Sequence, residues 1–122
     1  MLLSVEPLEA LRYLDFLSPE GIVVTSSSPY LNIPDYPDID SVLAKIRDVE
    51  KRVIVDSEKL AKQAGASMAQ NMVMLGAASP FLMLNRENLI EFIRILFQPR
   101  GEKIVETNLK AFELGSEAAR NL

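Results

Sequence analysis

The spacing of apolar positions changes along the chain, and each change marks an element. Leu2, Leu3 and Val5 make a short apolar run that reads as a buried strand over 2–5. Ala10, Leu11, Leu14 and Leu17 then recur on one helical face and predict a helix from Pro7 to Leu17. Proline at the first helical position removes no backbone hydrogen bond, and Ser18-Pro19 ends the helix because a residue before proline avoids the helical region. Gly21 leads into Ile22-Val23-Val24-Thr25, a β-branched run typical of a strand covered on both faces. From Ser26-Ser27-Ser28 to Pro37 the chain carries Pro29, Asn32, Pro34 and Asp35, which together predict an irregular loop.

The second half is mostly helical in pattern. Asp38 or Asp40 caps a helix whose buried stripe is Ile39, Val42, Leu43, Ile46 and Val49. Val53-Ile54-Val55 is a third strand, and Asp56-Ser57 caps a short helix that stops at Gly65, suited to the left-handed position after a helix. Ser67 with Gln70 has the spacing of a capping box for a helix reaching Ala78. Asn85 caps a helix bearing Leu89, Ile90, Phe92, Ile93, Leu96 and Phe97, which Pro99 stops, and a last helix spans Glu102 to Arg120. Strands alternating with helices predict an α/β fold: three layers, a partial doubly wound parallel sheet of about three strands with right-handed crossovers, helices on both faces, and a helical C-terminal region. The expectation is a single domain over residues 1–122, read as one that begins part-way through a larger sheet, so that its first strand is an uncovered edge.

Composition narrows the chemistry. The 122 residues carry 17 acidic and 13 basic side chains, a net charge of −4 with no basic stripe, which argues against a nucleic-acid partner. No apolar run approaches the ~20 residues needed to span a bilayer, and the start lacks the features of a signal peptide, so the expected location is the cytoplasm with no membrane partner. The chain has no Cys and no His. It therefore offers no thiolate, no Cys-ligated iron–sulfur cluster, no Cys-type zinc site and no imidazole acid or base. No catalytic and no metal-binding residue is assigned.

Four residues are candidates for proximity to a ligand. Glu6 falls at the carboxyl end of the first strand, where sites in open α/β sheets lie, although an acid there also suits a helix dipole. Ser26 and Ser27 follow the second strand and could hold a phosphate or carboxylate, but serine-rich turns are ordinary and no glycine-rich loop or lysine accompanies them. Asn71 stands in the helix that continues to Gly76. Gly76 with Ala77 and Ala78 signals close packing against another backbone, and Asn108 shares a small-residue face with Ile104, Ala111 and Gly115, placed to tie the last helix to the preceding loops or to a partner.

Several blocks then fall in a familiar order: Glu6-Pro7-Leu8-Glu9-Ala10-Leu11-Arg12, Tyr36-Pro37, Gly65, Asn71 through Ala77, and Asn108 through Gly115. The chain resembles the beta subunit of indolepyruvate:ferredoxin oxidoreductase, and the related gamma subunit or domain of other 2-oxoacid:ferredoxin oxidoreductases, including the pyruvate enzyme. The resemblance covers nearly the whole chain and places it in the carboxyl-terminal portion of such a domain. It implies an accessory subunit in a complex that decarboxylates a 2-oxoacid on thiamine diphosphate, sends electrons through iron–sulfur clusters to ferredoxin, and forms an acyl-coenzyme A. Thiamine diphosphate and the clusters are then held by a partner subunit, and the chain works in a homo- or hetero-oligomer. The family's glycine-rich opening strand–turn–helix has no counterpart here, and with it goes any coenzyme A contact made by that segment. Two other classes stay open from the residues: a non-enzymatic interaction or oligomerisation domain, and an α/β domain binding a small ligand such as coenzyme A or thiamine diphosphate.

Overall fold

A computed structural model describes residues 1–30 and 32–121. Three parallel strands, β1 (Leu2–Ser4), β2 (Val23–Ser26) and β3 (Arg52–Val55), lie in the order β1-β2-β3. Leu2 pairs with Val23 and Val23 with Arg52, so the three strands run in step. β2 is central and every one of its residues is buried, as its β-branched sequence requires. Among the described residues no strand lies on the outer side of β1 or β3.

Helices cover both faces. Helix α1 (Pro7–Arg12) and helix α2 (Ile39–Arg47) close one face over Val23, with Leu8, Ala10, Val42 and Ile46 as the core. Helices α3 (Ser57–Ala64), α4 (Gln70–Ala78), α5 (Arg86–Phe97) and α6 (Glu102–Arg120) build the other layer over Val24, Val53 and Val55. The three-layer α/β arrangement with a helical C-terminal region matches the pattern of the sequence.

Three local expectations are corrected. The first helix ends at Arg12, and Leu14–Phe16 form a separate 3₁₀ turn. Leu14 and Leu17 still pack on the α1–α2 core, so the apolar spacing held while the hydrogen-bond pattern tightened. The second strand is shifted by one residue, to Val23–Ser26. Ser67 and Gln70 form no capping box: Ser67–Ala69 is a 3₁₀ turn, α4 has no side-chain cap, and the Gln70 side chain is engaged by Ser57 instead. Asp38 stands at the start of α2, Asp56 and Asn85 cap α3 and α5 with their side chains, and Gly65 closes α3 at φ 115°.

The helical layer is organised by α4 against α6, the most extensive contact between any two elements. A Cβ at Gly76 would stand 2.0 Å from the Phe112 carbonyl oxygen, and one at Gly115 would stand 1.9 Å from the Val73 carbonyl oxygen. The two helices touch backbone to backbone at both points. Ala77, Ala111 and Phe112, none with exposed surface, fill the seam beside them. Arg86 then fastens α5 to this pair, donating to Ser116 and Glu113 with its guanidinium 5.7 Å from the centre of the Phe112 ring. Gly76→Ala or Gly115→Ala must force the helices apart. Each is expected to destabilise the chain by roughly 2–4 kcal/mol despite alanine's better helix propensity, read as a lowered urea midpoint.

Candidate functional site

The carboxyl ends of the strands gather Glu6, Ser26, Ser27 and Ser57. Glu6 is 4% exposed, with no cation within ion-pair distance among the described residues. Its carboxylate accepts from the backbone N–H groups of Leu8 and Glu9, capping α1. It also accepts from the Tyr30 N–H at 2.9 Å and the Tyr36 hydroxyl at 2.9 Å. One carboxylate thus starts a helix and clamps the 29–37 loop back onto it. Tyr36 is pushed from 10.0 up to about 12, first by burial, then by the hydrogen bond to Glu6 and its negative charge.

Ser26 is wholly buried and its hydroxyl is committed within the fold. Ser57 Oγ donates to Gln70 Oε1 at 2.8 Å, so it must accept from Ser26 Oγ, 2.6 Å away. Ser26 Oγ in turn accepts from the Ser28 N–H at 3.0 Å. The result is a directed chain from the end of β2 through the start of α3 to the first residue of α4. Ser28 completes the turn by donating to Asp56 Oδ1 at 2.9 Å. Ser27 is only partly buried, and its N–H is held by the Val55 carbonyl. Ser26, Ser28 and Ser57 therefore spend their hydroxyls within the fold, whereas Ser27 lines a separate cavity of about 550 Å³ with Arg47, Arg52 and Ile54.

Asn71 lies apart from that cluster, next in sequence to Gln70. Its side chain is exposed, its Oδ1 accepts from the Met72 N–H, and its amide Nδ2 has no partner among the described residues. It lines a cavity of about 300 Å³ between the start of α4, the α5–α6 connection and the first turns of α6. Arg100, Thr107 and Asn108 supply polar groups, and Phe97 and Ile104 supply apolar wall. Asn108 Nδ2 donates to the Ile104 carbonyl at 2.8 Å. The amide is thus satisfied inside its own helix rather than tied to the preceding loops. Arg100 forms no ion pair among the described residues. A guanidinium, amides and a hydroxyl beside apolar wall suit an anionic ligand with an organic body.

Arg100 escaped the sequence reading because it sits between Pro99 and Gly101, outside any periodic segment. A charged residue in a tight helix–helix connection was the signal available. Among the described residues no group of three Asp or Glu side chains converges as metal ligands would.

A family model described as pyruvate ferredoxin/flavodoxin oxidoreductase matches residues 1–118. The chain belongs to this family. It is 37% identical to indolepyruvate oxidoreductase subunit IorB of Thermococcus kodakarensis, over all of this chain and 64% of that protein. It is 30% identical to the subunit of the same name in Archaeoglobus fulgidus, over 98% of this chain and 62% of that one. Among solved structures it is similar to the 2-oxoglutarate:ferredoxin oxidoreductase from Magnetococcus marinus with 2-oxoglutarate, coenzyme A and succinyl-CoA bound. That match has a TM-score of 0.64 at 25% identity and covers 93% of this chain and 18% of the other. The chain spans less than two thirds of the length of these family relatives, aligning with their C-terminal part. No described helix is long and apolar enough to cross a membrane.

The Glu6 clamp gives a pH signature. Because folding raises the Tyr36 pKa above 10.0, its stabilisation is complete below pH 10 and is lost as pH rises from 10 towards about 12. Tyr36→Phe should flatten the stability profile over that window and cost about 1 kcal/mol at neutral pH through the lost hydrogen bond to Glu6, measured by urea unfolding across pH.

Proposed function

We propose that the chain serves as the C-terminal part of an accessory subunit of a 2-oxoacid:ferredoxin oxidoreductase of the indolepyruvate type. The observation that carries this reading is agreement between family, fold and relatives over nearly the whole chain. In this reading a partner subunit holds thiamine diphosphate, which when bound supplies the electron sink for decarboxylation, together with the iron–sulfur clusters that feed ferredoxin. A chain without Cys or His suits a supporting role beside such a subunit. Its exposed apolar side chains on α5, Phe92, Ile95 and Leu96, suit life inside an assembly.

Within that role, the Asn71–Arg100–Asn108 cavity receives part of the acyl acceptor, coenzyme A. Its phosphates match the Arg100 guanidinium and its amides match the exposed side-chain amide of Asn71. The cavity supports this reading by its donor set. Glu6 and Ser26 serve as framework, with their side-chain polar groups engaged inside the fold.

Kinetics of the intact complex test the assignment. Asn71→Ala and Arg100→Ala are each expected to raise KM for coenzyme A about tenfold or more, with KM for the 2-oxoacid unchanged. Unchanged KM in both variants would remove the cavity from the acceptor site, and a fully active native complex lacking this chain would remove the proposal.

The open edge of β1 gives a second check. Leu2 N–H bonds to β2, so the alternation of a strand turns the Leu3 N–H outward. In the assembled oxidoreductase that amide should pair with a neighbouring strand. Hydrogen exchange at Leu3 should then be much slower in the complex than in the separated chain.

A further inference from the structure

The directed hydrogen-bond chain Ser28 N–H, Ser26 Oγ, Ser57 Oγ, Gln70 Oε1 ends on the residue that immediately precedes Asn71. Ser26 and Ser57 have no exposed surface, and neither lines the Asn71 cavity. The chain crosses from the central strand to α3 and then to the first residue of α4, next to Asn71.

Its position suggests more than adhesion between layers. Helix α4 has no side-chain cap. It is fixed where Gly76 meets the Phe112 backbone and Val73 meets Gly115, but ahead of that contact Ser67, Met68 and Asn71 are exposed. Asn71 itself is exposed, so packing does little to set its direction. The Gln70 side chain is the polar link from the first residue of α4, through Ser57 and Ser26, to the sheet. We propose that Ser57 and Gln70 are positioning residues: through this chain they hold the start of α4 so that Asn71 faces the anion cavity. The inference rests on the reading of that cavity as part of the coenzyme A site.

The direction of the bonds supplies the test. Gln70 acts as an acceptor, so Gln70→Glu keeps the function and Gln70→Met, of similar length, removes it. In the intact complex, Gln70→Met and Ser57→Ala are expected to raise KM for coenzyme A about fivefold, the effect of one lost hydrogen bond, with kcat held within twofold. Gln70→Glu should stay near the parent value. Hydrogen exchange across residues 66–75 should quicken in Gln70→Met, while the segment around Phe112 keeps its protection.

Asn71→Ala separates the two levels. If it raises KM while Gln70→Met changes neither KM nor local exchange, the positioning role is overturned and the cavity reading stands. If Asn71→Ala leaves KM unchanged, the cavity reading itself has failed, and the inference goes with it. Equal losses in Gln70→Met and Gln70→Glu, spread over both segments, would mark a general packing role and also overturn the proposal.

Discussion

Two helices that touch through their backbones have almost no freedom to slide or rotate. At the α4–α6 crossing, Gly76 lies against the Phe112 carbonyl and Gly115 against the Val73 carbonyl. The arrangement is reciprocal: each glycine meets the residue three positions before the other. A side chain at either point would need space already filled by a peptide group, which cannot rotate away as a flexible side chain can. The remainder of the helical layer is referred to this contact. Arg86 fastens α5 to α6 over Phe112, and Val73, Ala77 and Ala78 carry the seam to the core beneath the sheet.

Fixing α4 along its length has a consequence at its start. The helix cannot shift as a body, so a small set of polar bonds suffices to define its first turn. The Ser26–Ser57–Gln70 chain supplies them from the central strand, and Asn71 follows directly. On the opposite side of the sheet a single carboxylate does comparable work. Glu6 caps α1 and draws in Tyr30 and Tyr36, so a loop rich in proline is held by a few strong acceptor contacts rather than by packing. The side chains of Glu6, Ser26 and Ser57 near the strand ends are thus spent on holding connections in place. Of the polar groups lining the cavity between α4 and α6, Asn71 and Arg100 are exposed.

The legibility of these features in sequence followed their range. Periodicity located the strands and helices, and Asp56, Asn85 and Gly65 announced their ends because capping involves neighbours a few residues away. Gly76-Ala77-Ala78 signalled a close backbone approach, since small residues have few other uses in a helix. The same local logic misread Ser67 and Gln70. Their spacing fits a capping box, but Gln70 found a better partner in Ser57, thirteen residues away and on another helix. Asn108 went the other way, satisfying its amide one turn back in its own helix. Ser26 looked like part of an anion loop because sequence does not record that its hydroxyl is already taken by Ser57 and the Ser28 N–H.

By itself, the sequence determined the α/β class, the order of elements, the absence of thiol and imidazole chemistry and, through several ordered blocks, the family. These depend on residue type and short spacings, which are written along the chain. The tertiary structure alone decided which helix meets which, that Glu6 serves a loop 24 residues away, and that Arg100 and Asn71 share a cavity. Such facts depend on the angle and separation of packed elements. Those are set by the shape of whole surfaces, here by two glycines that allow two backbones to meet, and no local pattern contains them.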